Sequence, residues 1–181
     1  ITHIILIMSL GWYLITNLQW YNYKLERVIL KHHKWQWHIT YFLSPIVLFY
    51  IIPEPYYAAY FFLIYMTSFV LWNKKLDRTV VLTSRVKRFL AILLFTSFAM
   101  TALCLSSPSC TNILVFIPLI LAYVISTLLE KMFFISFKHK GKQRVHSIVG
   151  LKTVAITASY GKTSIKNYLY HVLKNKYKTY K

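Results

Sequence analysis

Residues Ala158-Ser159-Tyr160-Gly161-Lys162-Thr163-Ser164 bring together the groups that hold the phosphates of a nucleotide. Gly161 allows close backbone approach, Lys162 supplies a cation, and Thr163 at a helix start places a hydroxyl on a nucleotide-bound Mg²⁺. Such a loop works when an apolar strand ends in a tight turn that opens a helix, so that backbone N–H groups and the positive helix end converge on one anion. The run Thr153-Val154-Ala155-Ile156-Thr157 predicts the strand. Ile165, Tyr168, Leu169, Val172 and Leu173, spaced i, i+3, i+4, i+7, i+8, predict the helix. The general P-loop also places a glycine five residues before Gly161; Ile156 stands there, so the generic Walker A pattern fails.

The loop resembles that of the Mur ligases, the ATP-dependent amide ligases of peptidoglycan precursor synthesis, which follow a G-[TS]-x-G-K-[TS]-[TS] pattern after an apolar strand. Ser159, Ser164 and Lys166 are most similar to the members that add D-alanyl-D-alanine, whose loop runs G-S-x-G-K-T-[ST]-x-K. The resemblance covers 153–177. It implies that Ser159, Tyr160 and Gly161 wrap the phosphates, that Lys162 binds the β and γ groups, and that Thr163 ligates Mg²⁺. In such enzymes ATP phosphorylates a substrate carboxylate and leaves as ADP, and an amine then attacks the acyl phosphate to form an amide and release inorganic phosphate. ATP, Mg²⁺, a UDP-muramoyl peptide and D-Ala-D-Ala are thereby implied as cofactors and partners. Two departures stand out. Ala158 replaces the family's glycine, and helices occupy the place of the uridine-nucleotide-binding domain. The remaining metal ligands are expected beyond Lys181, which would leave these residues inactive by themselves.

Everything before the loop must position it, and that part reads as membrane. Apolar residues make up 57% of the chain and aromatic ones 18%, more than a soluble domain carries, and the mean hydropathy is positive. Five apolar stretches, 1–20, 37–52, 56–72, 89–105 and 113–129, approach the length of a spanning helix. The expected fold is thus an all-α polytopic membrane domain of about five transmembrane helices over 1–130. A basic cytoplasmic linker over 131–150 follows, then the start of a truncated α/β P-loop ATP-binding domain over 151–181.

Charge supports an orientation. Twenty-two Lys and Arg face four Asp and Glu, a net charge of +18. The basic residues fall between the first and second stretches (Lys24, Arg27, Lys31, Lys34), between the third and fourth (Lys74, Lys75, Arg78, Arg85, Lys87, Arg88), and from Lys131 onward. The other two connections have none. Positive residues collect on the cytoplasmic side, so five spans with the N-terminus outside place all twenty-two on that side. The resemblance to Mur ligases implies that the membrane is a bacterial inner membrane. Topology and anionic lipid account for the basic excess, and nucleic acid is not an expected partner. The second stretch is short and contains Ser44-Pro45, so 37–72 is alternatively a re-entrant hairpin. The first residue is Ile rather than Met, and the first stretch lacks a basic leader and a small-residue cleavage site.

Trp12, Trp20, Trp35, Trp37 and Trp72 mostly fall near span ends and read as interface anchors. Away from their edges the stretches hold no charged residue, against the needs of an ion transporter. Residues 24–37, with Leu25, Val28, Ile29 and Leu30 among basic neighbours, suit either a helix on the inner leaflet or an ordinary loop. His32, His33 and His38 match no zinc spacing. Cys104 and Cys110 are expected as free thiols, and Glu54 as a solvated turn residue. The alternatives to a ligase are a non-catalytic membrane scaffold and a transporter of a neutral or lipidic substrate.

Overall fold

The computed structural model describes residues 2–32, 34–106, 116–157 and 159–179. Among them all regular structure is helical. Backbone proximity divides the chain into two units, Ile1–Ile135 and Ser136–Lys181, and the division falls within a helix.

In the first unit α1 (Thr2–Trp20) carries Leu6, Ile7, Leu10 and Tyr13 into the core. Asn22 and Tyr23, both with left-handed backbone, turn the chain into α2 (Leu25–Leu30), and the Tyr23 ring lies 3.6 Å beneath the Arg85 guanidinium. Two helical legs follow. The first joins α3 (Gln36–His38), a π-helical turn (Ile39–Leu43) and α4 (Ser44–Ile51); the second joins α5 (Glu54–Tyr60), a π-helical turn (Phe61–Tyr65) and α6 (Met66–Lys74).

Both π turns have a cause in the residues. Pro45 has no N–H to give the Tyr41 carbonyl, so a regular α-helical ladder is broken there. The Tyr65 hydroxyl donates to that carbonyl instead, at 3.1 Å, and the Tyr57 hydroxyl donates to the Pro45 carbonyl at 3.0 Å. The two legs are thereby stapled by tyrosines. On the second leg Tyr57, Phe61, Tyr65 and Phe69 stack at four-residue intervals with centroids 5.3–6.1 Å apart. In a pure α-helix a residue four positions on drifts by about 40° around the axis. The wider π turn takes back part of that drift and keeps the rings in one buried column.

The helix α7 (Ser84–Ser106) and α8 (Ile117–His146) as far as Ile135 complete the unit. Phe89 and Leu93 of α7 and Leu119 and Ala122 of α8 are buried. Gly11 of α1 lies at their meeting point: a Cβ there would overlap Leu93 Cδ2 and touch Leu119 Cδ1 at 3.7 Å. Arg88 binds Glu130 through Nε at 3.1 Å and also through Nη2, while Arg85 Nε lies 3.9 Å from the other carboxylate oxygen. Gln19 holds the connection into α7 by donating to the Val81 carbonyl and accepting from its N–H, at 2.9 and 3.0 Å.

Five spanning helices are not found among the described residues. Two helices there, Ser84–Cys104 within α7 and Ile117–His146, are long and apolar enough to cross a membrane. Stretch 1–20 does form α1, but ten of its nineteen residues are buried, and His3, Asn17 and Gln19 dilute its apolar character. Stretches 37–52 and 56–72 lie in the interrupted legs, whose longest α-helical piece has nine residues. The expected α/β domain is also corrected. Thr153–Thr157 is irregular, because a strand needs a neighbour for its ladder and the described residues offer none. Cys104 is disulfide-bonded rather than a free thiol, and Cys110 lies outside the described residues. Glu54 opens α5 as an exposed residue in its first turn.

Candidate functional site

The loop stands in the second unit immediately before α9 (Lys162–Leu173). Gly161 is the N-cap with φ 75° and ψ 6°, a left-handed conformation that side chains resist. Nothing lies within 4 Å of where its Cβ would be, so the glycine is required by backbone angle rather than by space. The Ile165 N–H donates to the Gly161 carbonyl at 3.0 Å and closes the first turn. The N–H groups of Lys162, Thr163 and Ser164 precede that bond and belong to the unsatisfied set at a helix start. No side chain caps this end, and no acid occupies the first turn.

A helix start is the positive pole of the helix dipole, which favours negative groups and disfavours a lysine. Here Lys162 is the first helical residue, and residues 136–181 contain no Asp or Glu. Lys166, one turn on, adds a second cation to the same face. Ser159, Tyr160, Gly161, Lys162, Thr163 and Ser164 are all exposed, Tyr160 by 92%. The fold therefore brings six of the seven expected residues to one open loop-to-helix junction. Ala158 lies outside the described residues. The chemistry available is anion binding by N–H groups, an ammonium, the three hydroxyls of Ser159, Thr163 and Ser164, and the Tyr160 phenol. Proton transfer and metal chelation would need acids or histidines from elsewhere.

The apolar positions expected on the helix do fall in α9, but Ile165, Tyr168 and Val172 are 48–76% exposed rather than packed on a sheet. Two hollows in the first unit, of about 10 and 350 Å³, are apolar and do not include the loop. The larger is a shallow groove along Phe62, Met66 and Val70.

The histidines form a hydrogen-bonded joint. The Val28 carbonyl can only accept, so His38 Nε2 donates to it at 2.9 Å, and His38 Nδ1 accepts from the Tyr13 hydroxyl at 2.8 Å. His32 Nδ1 accepts from the Lys34 N–H at 3.0 Å, and its Nε2 donates to Asn17 Oδ1 at 2.8 Å. Asn17 is fully buried and donates to the Tyr13 carbonyl. The two rings lie 4.3 Å apart with every nitrogen engaged, which leaves neither ring a lone pair for a metal. His33 lies outside the described residues. Sequence reasoning missed this joint, the Arg–Glu cluster and the Gln19 clamp, because each links residues far apart in the chain and none has a local motif.

No protein-family model matches the chain, and no curated protein or solved structure matches it.

Proposed function

We propose that residues 158–164 bind the phosphates of ATP with Mg²⁺, and that the chain is the membrane-anchored N-terminal part of an ATP-dependent amide ligase of peptidoglycan precursor synthesis. One observation carries the phosphate reading. A left-handed glycine opens an uncapped helix whose first residue is a lysine and whose unit has no acid, so an anion is the partner this junction lacks. The resemblance of the loop to Mur ligases supplies the reaction: phosphoryl transfer to a muramoyl-peptide carboxylate, then attack by the amine of D-Ala-D-Ala. In that reaction Lys162 stabilises charge on the transferring phosphoryl group and Thr163 ligates the nucleotide's Mg²⁺.

Anchoring rests on α7 and α8. Their apolar windows are only 22% and 17% buried, whereas the core helix of a soluble protein hides most of its apolar surface. At about 1.5 Å per residue, 23 and 30 residues exceed the roughly 30 Å of a bilayer's hydrocarbon. Arg85, Lys87 and Arg88 begin α7, and basic residues from Lys131 onward end α8, a pattern that favours the cytoplasmic face of the inner membrane for both ends. A placement of the N-terminus outside depended on five spans and goes with them.

The test is binding of a fluorescent ATP analogue to the chain in detergent with Mg²⁺. A charged hydrogen bond contributes about 1.5–3 kcal/mol, so Lys162→Ala should weaken binding roughly 10- to 100-fold. Unchanged affinity in that variant would refute the loop's role, and no binding by either protein would favour the scaffold. For the ligase assignment, enzyme carrying this chain should release ADP only when both the UDP-muramoyl peptide and D-Ala-D-Ala are present.

A further inference from the structure

Between α1 and the first leg, the first unit displays apolar side chains that stand exposed among the described residues. Ile29, Leu30 and Trp35 are 63%, 80% and 63% exposed. Trp35 is the one exposed residue among the five tryptophans; Trp72, also expected as an interface anchor, is buried against Phe69, Tyr13 and Trp37. Four basic residues surround the three, Lys24, Arg27, Lys31 and Lys34, against the single acid Glu26.

The display is held in place. Val28, on the opposite side of α2, is buried, and its carbonyl is fixed by His38. His32 is tied to Asn17, the Tyr21 hydroxyl donates to the Lys31 carbonyl at 3.1 Å, and the Lys34 ammonium lies 4.6 Å from the Trp37 ring centroid. An anchored segment that turns two aliphatic residues and a tryptophan outward within a basic surround fits one surface: the headgroup boundary of an anionic leaflet. There apolar side chains leave water, the indole ring suits the interface, and ammonium groups meet phosphates.

We infer that residues 24–35 dock on an anionic phospholipid leaflet, with Ile29, Leu30 and Trp35 immersed and Lys24, Arg27, Lys31 and Lys34 binding lipid phosphates. The inference rests on the membrane anchoring by α7 and α8. Glu26 lies on the exposed side of α2 and opposes the attraction, leaving a net three positive charges from four basic residues and one acid.

The full chain is reconstituted in vesicles of phosphatidylcholine, with or without phosphatidylglycerol. A polarity-sensitive fluorophore is placed on Leu30→Cys or, as reference, on Phe95→Cys of α7, which is 74% exposed. The Leu30 probe should shift to the blue and be quenched by spin-labelled lipid in the anionic vesicles. Since a basic residue near such a surface contributes about 1 kcal/mol, Lys31→Ala and Lys34→Ala should each lower the immersed-to-free ratio about fivefold. Added salt should lower it further. A Leu30 probe that stays in water while the Phe95 probe is quenched overturns the docking alone. A Leu30 probe shielded from water but untouched by the lipid quencher also overturns it, because protein would then be the cover. If neither probe is quenched, the anchoring by α7 and the docking fall together.

Discussion

His38 shows how one side chain can set the geometry of a segment. Its two nitrogens join the Tyr13 hydroxyl of α1 to the Val28 carbonyl of α2, both in a low-dielectric setting where an unpaired polar group costs about 1–3 kcal/mol. His38→Ala should therefore lower stability by about that amount and speed amide hydrogen exchange across α2 more than across α7. Equal acceleration in both helices would show that the joint is not local. Zinc should leave the thermal midpoint of the unsubstituted chain unchanged, since a ligand that does not bind the folded state cannot stabilise it. At Gly161 the helix start was legible beforehand to within a residue, since the turn was expected to open a helix at Thr163 and α9 begins at Lys162. The left-handed N-cap was not foreseen, because glycine was read there for close backbone approach. The histidines were legible only as a cluster, because their partners Tyr13, Asn17 and Val28 carry no spacing that points to them.

Among the elements, α1 and α7 pack through a notch at Gly11 that receives Leu93, a side chain with no exposed surface. Gly11→Ala should overpack this contact and destabilise the chain by about 1–3 kcal/mol, although alanine is the better helix former. Leu93→Ala leaves a cavity that costs about 2–5 kcal/mol. In the double substitution the new methyl group enters that cavity, so thermal unfolding should show less destabilisation than the two single losses added together. Strict additivity would mean that the notch is not shared. The sequence carried helix content well here, since α1, α7, α8 and α9 all fall on apolar or amphipathic stretches. It misjudged how those stretches end. Pro45 was visible, but the transfer of its lost hydrogen bond to Tyr65 was not, and hydropathy alone cannot separate an interrupted buried leg from a spanning helix. The Thr153–Thr157 run has β-branched residues but no neighbouring strand among the described residues, and side-chain preference without a ladder does not make a sheet.

At the scale of the whole molecule, apolar surface and positive charge are distributed along the chain in a way that a bilayer would read. Exposed Phe95, Phe98 and Leu103 on α7 and Ile120, Leu121 and Leu128 on α8 ask for lipid, and the basic residues at the helix ends ask for the cytoplasmic side. Val145, half exposed near the end of α8, should accordingly react as Val145→Cys with an impermeant thiol reagent in inside-out membrane vesicles but not in intact cells. Labelling from outside the cell would invert the orientation and remove ATP from the reach of the loop. The charge pattern bears on orientation whatever the number of spans, so the proposed cytoplasmic placement of both helix ends does not require five of them.

The notch at Gly11 also has a historical consequence. A substitution at position 11 meets Leu93 at once, whereas a smaller residue at position 93 leaves a void while glycine remains. Each change is harmful alone and tolerable in company, so descendants of this chain are expected to alter the two positions together or leave both untouched.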